Sequence, residues 1–138
     1  MTLFALSPDP LDGPALHRRL HSLTDGAVVV FEGVVRNHHN HQAVTALAYE
    51  GVEALAAETF AAIEQEAIAQ FGLSQVIAIH RVGQVPAGEP AVWVGVASPH
   101  RDAAFAGCRY VIDELKQRLP IWKKELYEDG HARWVNEA

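Results

Sequence analysis

Lysine is nearly absent from this chain. Only Lys116, Lys123 and Lys124 occur among its 138 residues, and all three fall in one stretch, Lys116-Gln117-Arg118-Leu119-Pro120-Ile121-Trp122-Lys123-Lys124. Cysteine is scarcer still. Cys108 stands alone, which excludes an intrachain disulfide and fits a reducing compartment, so the cytoplasm is the expected location. Long apolar runs are missing: the longest, Ala27 to Phe31, is far too short to span a bilayer. The stretch from Met1 to Asp9 has neither a basic region nor a long apolar one, so no signal peptide is expected. Positive charge is in deficit, with a formal net charge of −6, and a chain without a broad basic face is a poor match to nucleic acid. Repeats, linkers, low-complexity segments and a glycine-rich phosphate loop are absent as well.

What is present reads as a single domain over residues 1–138, long enough for a real core. Leu16, Leu20 and Leu23 lie at helical spacing behind Pro14 and predict a short helix from Pro14 to Leu23. Valine-rich Ala27 to Val35 predicts a buried strand, and polar Arg36 to Gln42 a loop. Val44 to Glu50 alternates as a strand does. Val52 to Phe71 predicts a helix that buries Val52, Leu55, Thr59 and Ile63 and ends at Gly72. Gln75 to Val82 and Ala91 to Ala97 read as strands, separated by a loop from Gly83 to Glu89 that holds Pro86 and Gly88. Ser98-Pro99 is the cap and first position of a helix reaching about Leu119, with Phe105, Cys108, Ile112, Leu115 and Leu119 inward. Pro120 stops it, and Ile121 to Tyr127 and Ala132 to Val135 form a terminal hairpin through Asp129-Gly130. The order is mixed α and β without regular alternation, which favours an α+β fold on a mainly antiparallel sheet.

Three groups carry chemistry. The lysine cluster is either a basic helix end favoured by the dipole or a pair of groups set to bind anions and move protons. Lys116 arrives from the helix end and Lys123 from the following strand, so both can face one pocket, while Lys124 should point the other way. Crowding and burial of two ammonium groups would depress their pKa values and make a neutral amine available near pH 7. His100 and Arg101 sit at a predicted helix N-terminus, where free N–H groups attract a phosphate or carboxylate; pairing with Asp102 or solvent is the plainer alternative. Arg36 leaves a buried strand beside Val34 and Val35, and locally reads as an ordinary surface arginine. The loop His38-His39-Asn40-His41 has no matching second set of ligands, so no metal is expected. Cys108 reads as core, and Trp93, Trp122 and Trp134 as core or interface.

Taken together, several blocks in order resemble the large, catalytic subunit of molybdopterin synthase. They are Phe31-Glu32-Gly33-Val34-Val35-Arg36-Asn37, Ile79-His80-Arg81-Val82-Gly83, Val94-Gly95-Val96-Ala97-Ser98-Pro99-His100-Arg101 and Lys116 to Glu125. The resemblance runs from Gly26 to Val135. It implies an α/β-hammerhead type of fold, a mainly antiparallel sheet with a small extra β region. It implies a sulfurtransferase that needs no cofactor of its own and builds the dithiolene of molybdopterin on cyclic pyranopterin monophosphate. The sulfur would come from the C-terminal Gly-Gly thiocarboxylate of a small ubiquitin-like carrier. Two large subunits would form a central dimer, with one carrier at each end of a heterotetramer. Lys116 and Lys123 would be catalytic, and Val34, Val35, Arg36, His100, Arg101, Lys116, Lys123, Lys124 and Glu125 would contact substrate, with His100 and Arg101 reaching across from the second subunit. Relatives often carry a longer basic tail, for which Arg133 is the candidate substitute. The alternative from a different class is a non-catalytic module that binds a small phosphorylated ligand in the same cationic pocket.

Overall fold

Period-2 alternation along the valine-rich segments decides where the core forms. The computed structural model of this chain describes residues 3–135. Strands β1 (Leu3–Ser7), β2 (Ala27–Val34), β5 (Gln75–Arg81) and β7 (Pro90–Ser98) make one sheet in the order β1-β5-β7-β2. Only the β1–β5 pair is parallel; β5–β7 and β7–β2 are antiparallel. On β5, Val76 and Ala78 face one way and Ile77 and Ile79 the other, and both sets are buried, because both faces of the sheet are covered. Helices α2 (Glu53–Phe71) and α3 (Arg101–Arg118) cover the first face through Phe60, Ile63, Ala67, Cys108, Val111 and Leu115. The short helix α1 (Gly13–Arg18) and the residues after it cover the second, where Leu20 packs on Trp93 and Ile77. Gly95 permits this: a Cβ there would lie 2.5 Å from Leu20 Cδ1 and 2.6 Å from the Trp93 ring.

The second sheet stands at the end of the first. Its centre is β4 (Gln42–Gly51), which pairs with β3 (His38–His39), β6 (Gly83–Pro86) and β8 (Ile121–Tyr127), and β8 pairs with β9 (Ala132–Val135). All of these pairs are antiparallel. The result is an α+β fold with mostly antiparallel sheets.

Several boundaries and faces differ from the sequence reading. The first helix ends at Arg18 rather than Leu23, so Leu20 is free to turn into the core while Leu23 stays fully exposed. In α2 the inward row is Ala56, Phe60, Ile63 and Ala67, and Val52 and Leu55 are about half exposed. The helix carries small apolar residues on several sides, interleaved with glutamates, so period alone does not choose its face. Phe105 of α3, 64% exposed, is likewise outside the inward row, which runs through Ala104, Cys108, Val111 and Leu115. That helix starts two residues later than the Ser98-Pro99 signal implies. Ser98 is held in the ladder opposite Ala27, and His100 becomes the cap. Two loops turn out to contain strand. His38–His39 pairs back onto β4 through a turn at Asn40 and His41, whose φ angles are 50° and 65°. Gly83–Pro86 finds its partner in β4, distant in sequence and therefore invisible to a local reading. Gly72 closes α2 in the left-handed conformation, with φ 71°, as expected of a glycine after a helix.

Candidate active site

A cavity of about 380 Å³ opens where the two sheets meet the C-terminal end of α3. Pro120 builds it. It ends α3 just past Lys116, and the chain returns as β8, which brings Lys123 and Glu125 to the same cavity wall. Strand alternation then sorts the lysines. Ile121, Lys123 and Glu125 line the cavity, whereas Lys124 turns to the opposite face, its Nζ 5.0 Å from the centre of the Trp134 ring. From the other side β2 delivers Val34 and Val35, and Arg36 follows at its exit. Ala91, Val92, Ile112 and Leu115 form the apolar floor.

Glu125 is buried and held at both oxygens. Oε2 lies 2.6 Å from His39 Nδ1, and the Tyr127 hydroxyl donates to Oε1 at 2.6 Å. Burial by itself would raise the Glu125 pKa; the hydrogen bonds from Tyr127 and His39 outweigh it and keep the carboxylate below its usual range. Tyr49, the cross-strand partner of Lys123, is pushed up to about 12 by burial and stays a neutral phenol. His80, at the end of β5, lines the cavity with its ring against Tyr49, centroids 4.8 Å apart. Its Nδ1 lies 2.7 Å from the Arg81 carbonyl. Burial lowers the His80 pKa, the Arg81 carbonyl works against that, and the ammonium groups of Lys123 and Lys116 lower it further.

Of the residues singled out from sequence, the structure gathers Val34, Val35, Arg36, Lys116, Lys123 and Glu125 around one cavity. It does not bring His100, Arg101 or Lys124 there. Arg101 begins α3 and Lys116 is in its last turn, so along the helix axis they stand roughly 22 Å apart at 1.5 Å per residue. Both His100 and Arg101 are exposed. Arg133 is on β9, opposite Glu125 in the ladder, with its side chain exposed. Four polar lining residues were given no part in the site by the sequence reading: His38, His39, Tyr49 and His80. A signal existed for His80, the one polar residue continuing the Val76, Ala78 row of β5 toward the helices. For His39 none did, because its role depends on a carboxylate far along the chain. Among the described residues no group of three or more His, Cys, Asp and Glu is arranged to hold a metal ion, and no helix is long and apolar enough to cross a membrane.

Two lysines and an arginine over an apolar floor, set between two mostly antiparallel sheets, make a cavity whose lining suits a small anion. The MoaE protein family matches residues 6–118, and the chain belongs to that family. It is 38% identical over 134 residues to the molybdopterin synthase catalytic subunit of Nostoc sp., covering 96% of this chain and 81% of that one. It is 40% identical over 126 residues to the molybdopterin synthase catalytic subunit of Thermoplasma volcanium, covering 91% and 90%. The crystal structure of molybdopterin synthase from Staphylococcus aureus superposes with a TM-score of 0.90 at 30% identity, covering 96% of both chains.

Proposed function

We propose that this chain is the catalytic subunit of a molybdopterin synthase. It acts as a sulfurtransferase in the cytoplasm, as a single domain. Sulfur passes from the C-terminal thiocarboxylate of a small ubiquitin-like carrier to cyclic pyranopterin monophosphate, which becomes the molybdopterin dithiolene. The observation that carries this reading is the meeting of Lys116, Lys123 and Arg36 at one cavity in a protein of net charge −6. Both reactants are anions, and a thiocarboxylate on a Gly-Gly tail can enter a narrow space because glycine has no side chain. Lys116 and Lys123 orient the sulfur donor and move protons during attack and opening of the phosphate ring.

The span of α3 supports a site shared between two large subunits. A small substrate cannot touch Lys116 and Arg101 of one chain across roughly 22 Å. In a C₂ dimer, His100 and Arg101 of the second subunit supply the phosphate site, and each patch meets its counterpart twice. The carriers then dock at the outer ends of a heterotetramer. The test is direct: incubate the chain with thiocarboxylated carrier and cyclic pyranopterin monophosphate and look for dithiolene product by mass spectrometry. Binding of the phosphorylated substrate with no product would instead make the chain a binding module.

A further inference from the structure

The two lysines leave one chemical duty at the cavity unfilled. Moving sulfur from an acyl group to a pterin carbon first joins the two molecules as a thioester, and water must then cleave the acyl–sulfur bond. The lysines are placed to stabilise the anions that form in such a cleavage and to move protons in the earlier steps; the hydrolysis also needs an acceptor for the water's proton. A neutral imidazole lining the same cavity can be that acceptor.

We propose that His80 is that base, accepting a proton at Nε2 from the water that releases the carrier. This rests on the sulfur-transfer reading above. The geometry fixes the roles of the two ring nitrogens. A carbonyl oxygen only accepts, so Nδ1, 2.7 Å from the Arg81 carbonyl, must carry the hydrogen in the neutral ring, and Nε2 bears the lone pair. The Tyr49 ring, packed edge-on at 4.8 Å, holds the imidazole plane. The titratable groups that line the cavity with His80 are Arg36 after β2, His38 and His39 on β3, Tyr49 on β4, Lys116 on α3, and Lys123 and Glu125 on β8. Lys123 on β8 and Lys116 on α3 repel a second cation, Tyr49 on β4 stays an uncharged phenol, and the Glu125 carboxylate is engaged by His39 and Tyr127.

The step balances without a further reactant. Water oxygen bonds to the acyl carbon as one of its protons passes to His80 Nε2. The tetrahedral intermediate, its oxyanion facing the lysine ammonium groups, collapses with the carbon–sulfur pair staying on sulfur. The pterin keeps a thiolate, the carrier departs as a carboxylate after losing its remaining acid proton, and His80 returns its proton to solvent.

His80→Asn tests the assignment. The asparagine amide can keep the hydrogen bond to the Arg81 carbonyl but offers no base at the Nε2 position. With thiocarboxylated carrier and cyclic pyranopterin monophosphate, the folded variant should accumulate the covalent carrier–pterin adduct by intact mass. Product release should fall about 10²–10⁴-fold, the usual range for a lost general base. Wild-type release by folded H80N, or loss of adduct and product together, overturns the proposal and leaves sulfur transfer standing. Wild-type protein that forms neither adduct nor product removes the sulfur-transfer reading and this inference with it. Should H80N fail to fold, imidazole ¹⁵N shifts of the wild-type chain decide: His80 is expected to be neutral and protonated at Nδ1 at pH 7, and a cationic ring or an Nε2–H tautomer overturns the assignment.

Discussion

The two sheets of this protein are made from different kinds of residue and hold together by different means. In the four-stranded sheet β1-β5-β7-β2 the side chains on both faces are almost wholly apolar, and burial against helices is what stabilises them. In the second sheet the inward side of β8 carries Lys123 and Glu125, and contacts to Glu125 from His39 on β3 and from Tyr127 two residues along β8 itself take the place of packing. One region spends its residues on stability and the other on charge. A change in the first should therefore be read in the melting curve, and a change in the second in turnover.

The largest effects should come from the charged side. Lys116→Ala and Lys123→Ala are each expected to cut product formation about 10²–10⁴-fold while leaving the denaturation midpoint near that of wild type. Near-native turnover in either variant would remove that lysine from the mechanism. Arg101→Ala should weaken binding of the phosphorylated substrate more than docking of the carrier, and equal losses would make its role structural. The same variants test whether the site is shared. Mixed and exchanged, inactive Lys116→Ala and Arg101→Ala chains put both lesions in one pocket of each mixed dimer and leave the other intact. Recovery of about a quarter of wild-type activity is expected from random pairing. No recovery after proven exchange would sink the shared site without touching the sulfur-transfer assignment.

On the apolar side, Phe60→Ala should cost about 3–5 kcal/mol, since Phe60 is fully buried between α2 and the sheet and stacks on Phe4 at 5.1 Å. Phe105→Ala should stay within about 0.5 kcal/mol, because its ring is largely in solvent. Chemical denaturation separates the two. A large loss from Phe105→Ala would mean that its ring is covered in solution.

How much of this was legible in the sequence follows the same division. Three strands of the main sheet, β2, β5 and β7, could be read because each is a short β-branched run; β1, Leu-Phe-Ala-Leu-Ser, has no β-branched residue and could not. The inward stripe of α3 was legible through Cys108, Ile112, Leu115 and Leu119 and failed only at Phe105, whereas the face of alanine-rich α2 was not, because it offers apolar residues on several sides and tertiary packing chooses among them. At the site, Lys116 and Lys123 stood out by rarity, while Arg36 read locally as an ordinary surface arginine and was singled out by the family resemblance. His39 and Tyr49 did not, since a polar residue in a loop or an alternating strand has no local mark of the partner it will meet. β6 was hidden for the same reason: its pairing with β4 is long-range.

Acid should expose the charged side in two stages. The His80 pKa is held below its ordinary 6.5 by burial and by the lysines, so the unfolded state takes up a proton first as pH falls. Stability from this group is complete above pH 6.5 and declines below it. Glu125 loses its contribution only as pH falls below its ordinary 4.5, and so, on the helix side of the main sheet, does partly exposed Glu66 of α2, held near 2 by hydrogen bonds from Arg118 and Tyr110 of α3. His131, raised by Asp129, acts in the opposite sense and is exposed, so it opposes the first stage weakly. Urea midpoints measured from pH 8 to 4 should show a first loss starting near 6.5 that disappears in His80→Asn. A first stage unchanged in that variant would assign it to another histidine.

The smallest effect should come from the residue next to the most sensitive one. Lys123 and Lys124 are adjacent in sequence, equal in charge and carried by the same strand. Only alternation separates them: Lys123 faces Tyr49 and the cavity, and Lys124 stacks over Trp134 on the other side of β8. Lys124→Ala should leave turnover near wild type and cost at most about 0.5–1 kcal/mol for the lost cation–π contact at an open site. Trp134→Ala should cost a similar amount, and the double variant should cost less than the sum, because both changes remove one contact. If Lys124→Ala instead fell as far in turnover as Lys123→Ala, a flat reading of β8 as two-faced would be wrong. The strand would then have to twist enough in the working assembly to present both ammonium groups to the substrate, and a double-mutant cycle between Lys124 and Trp134 would show no coupling.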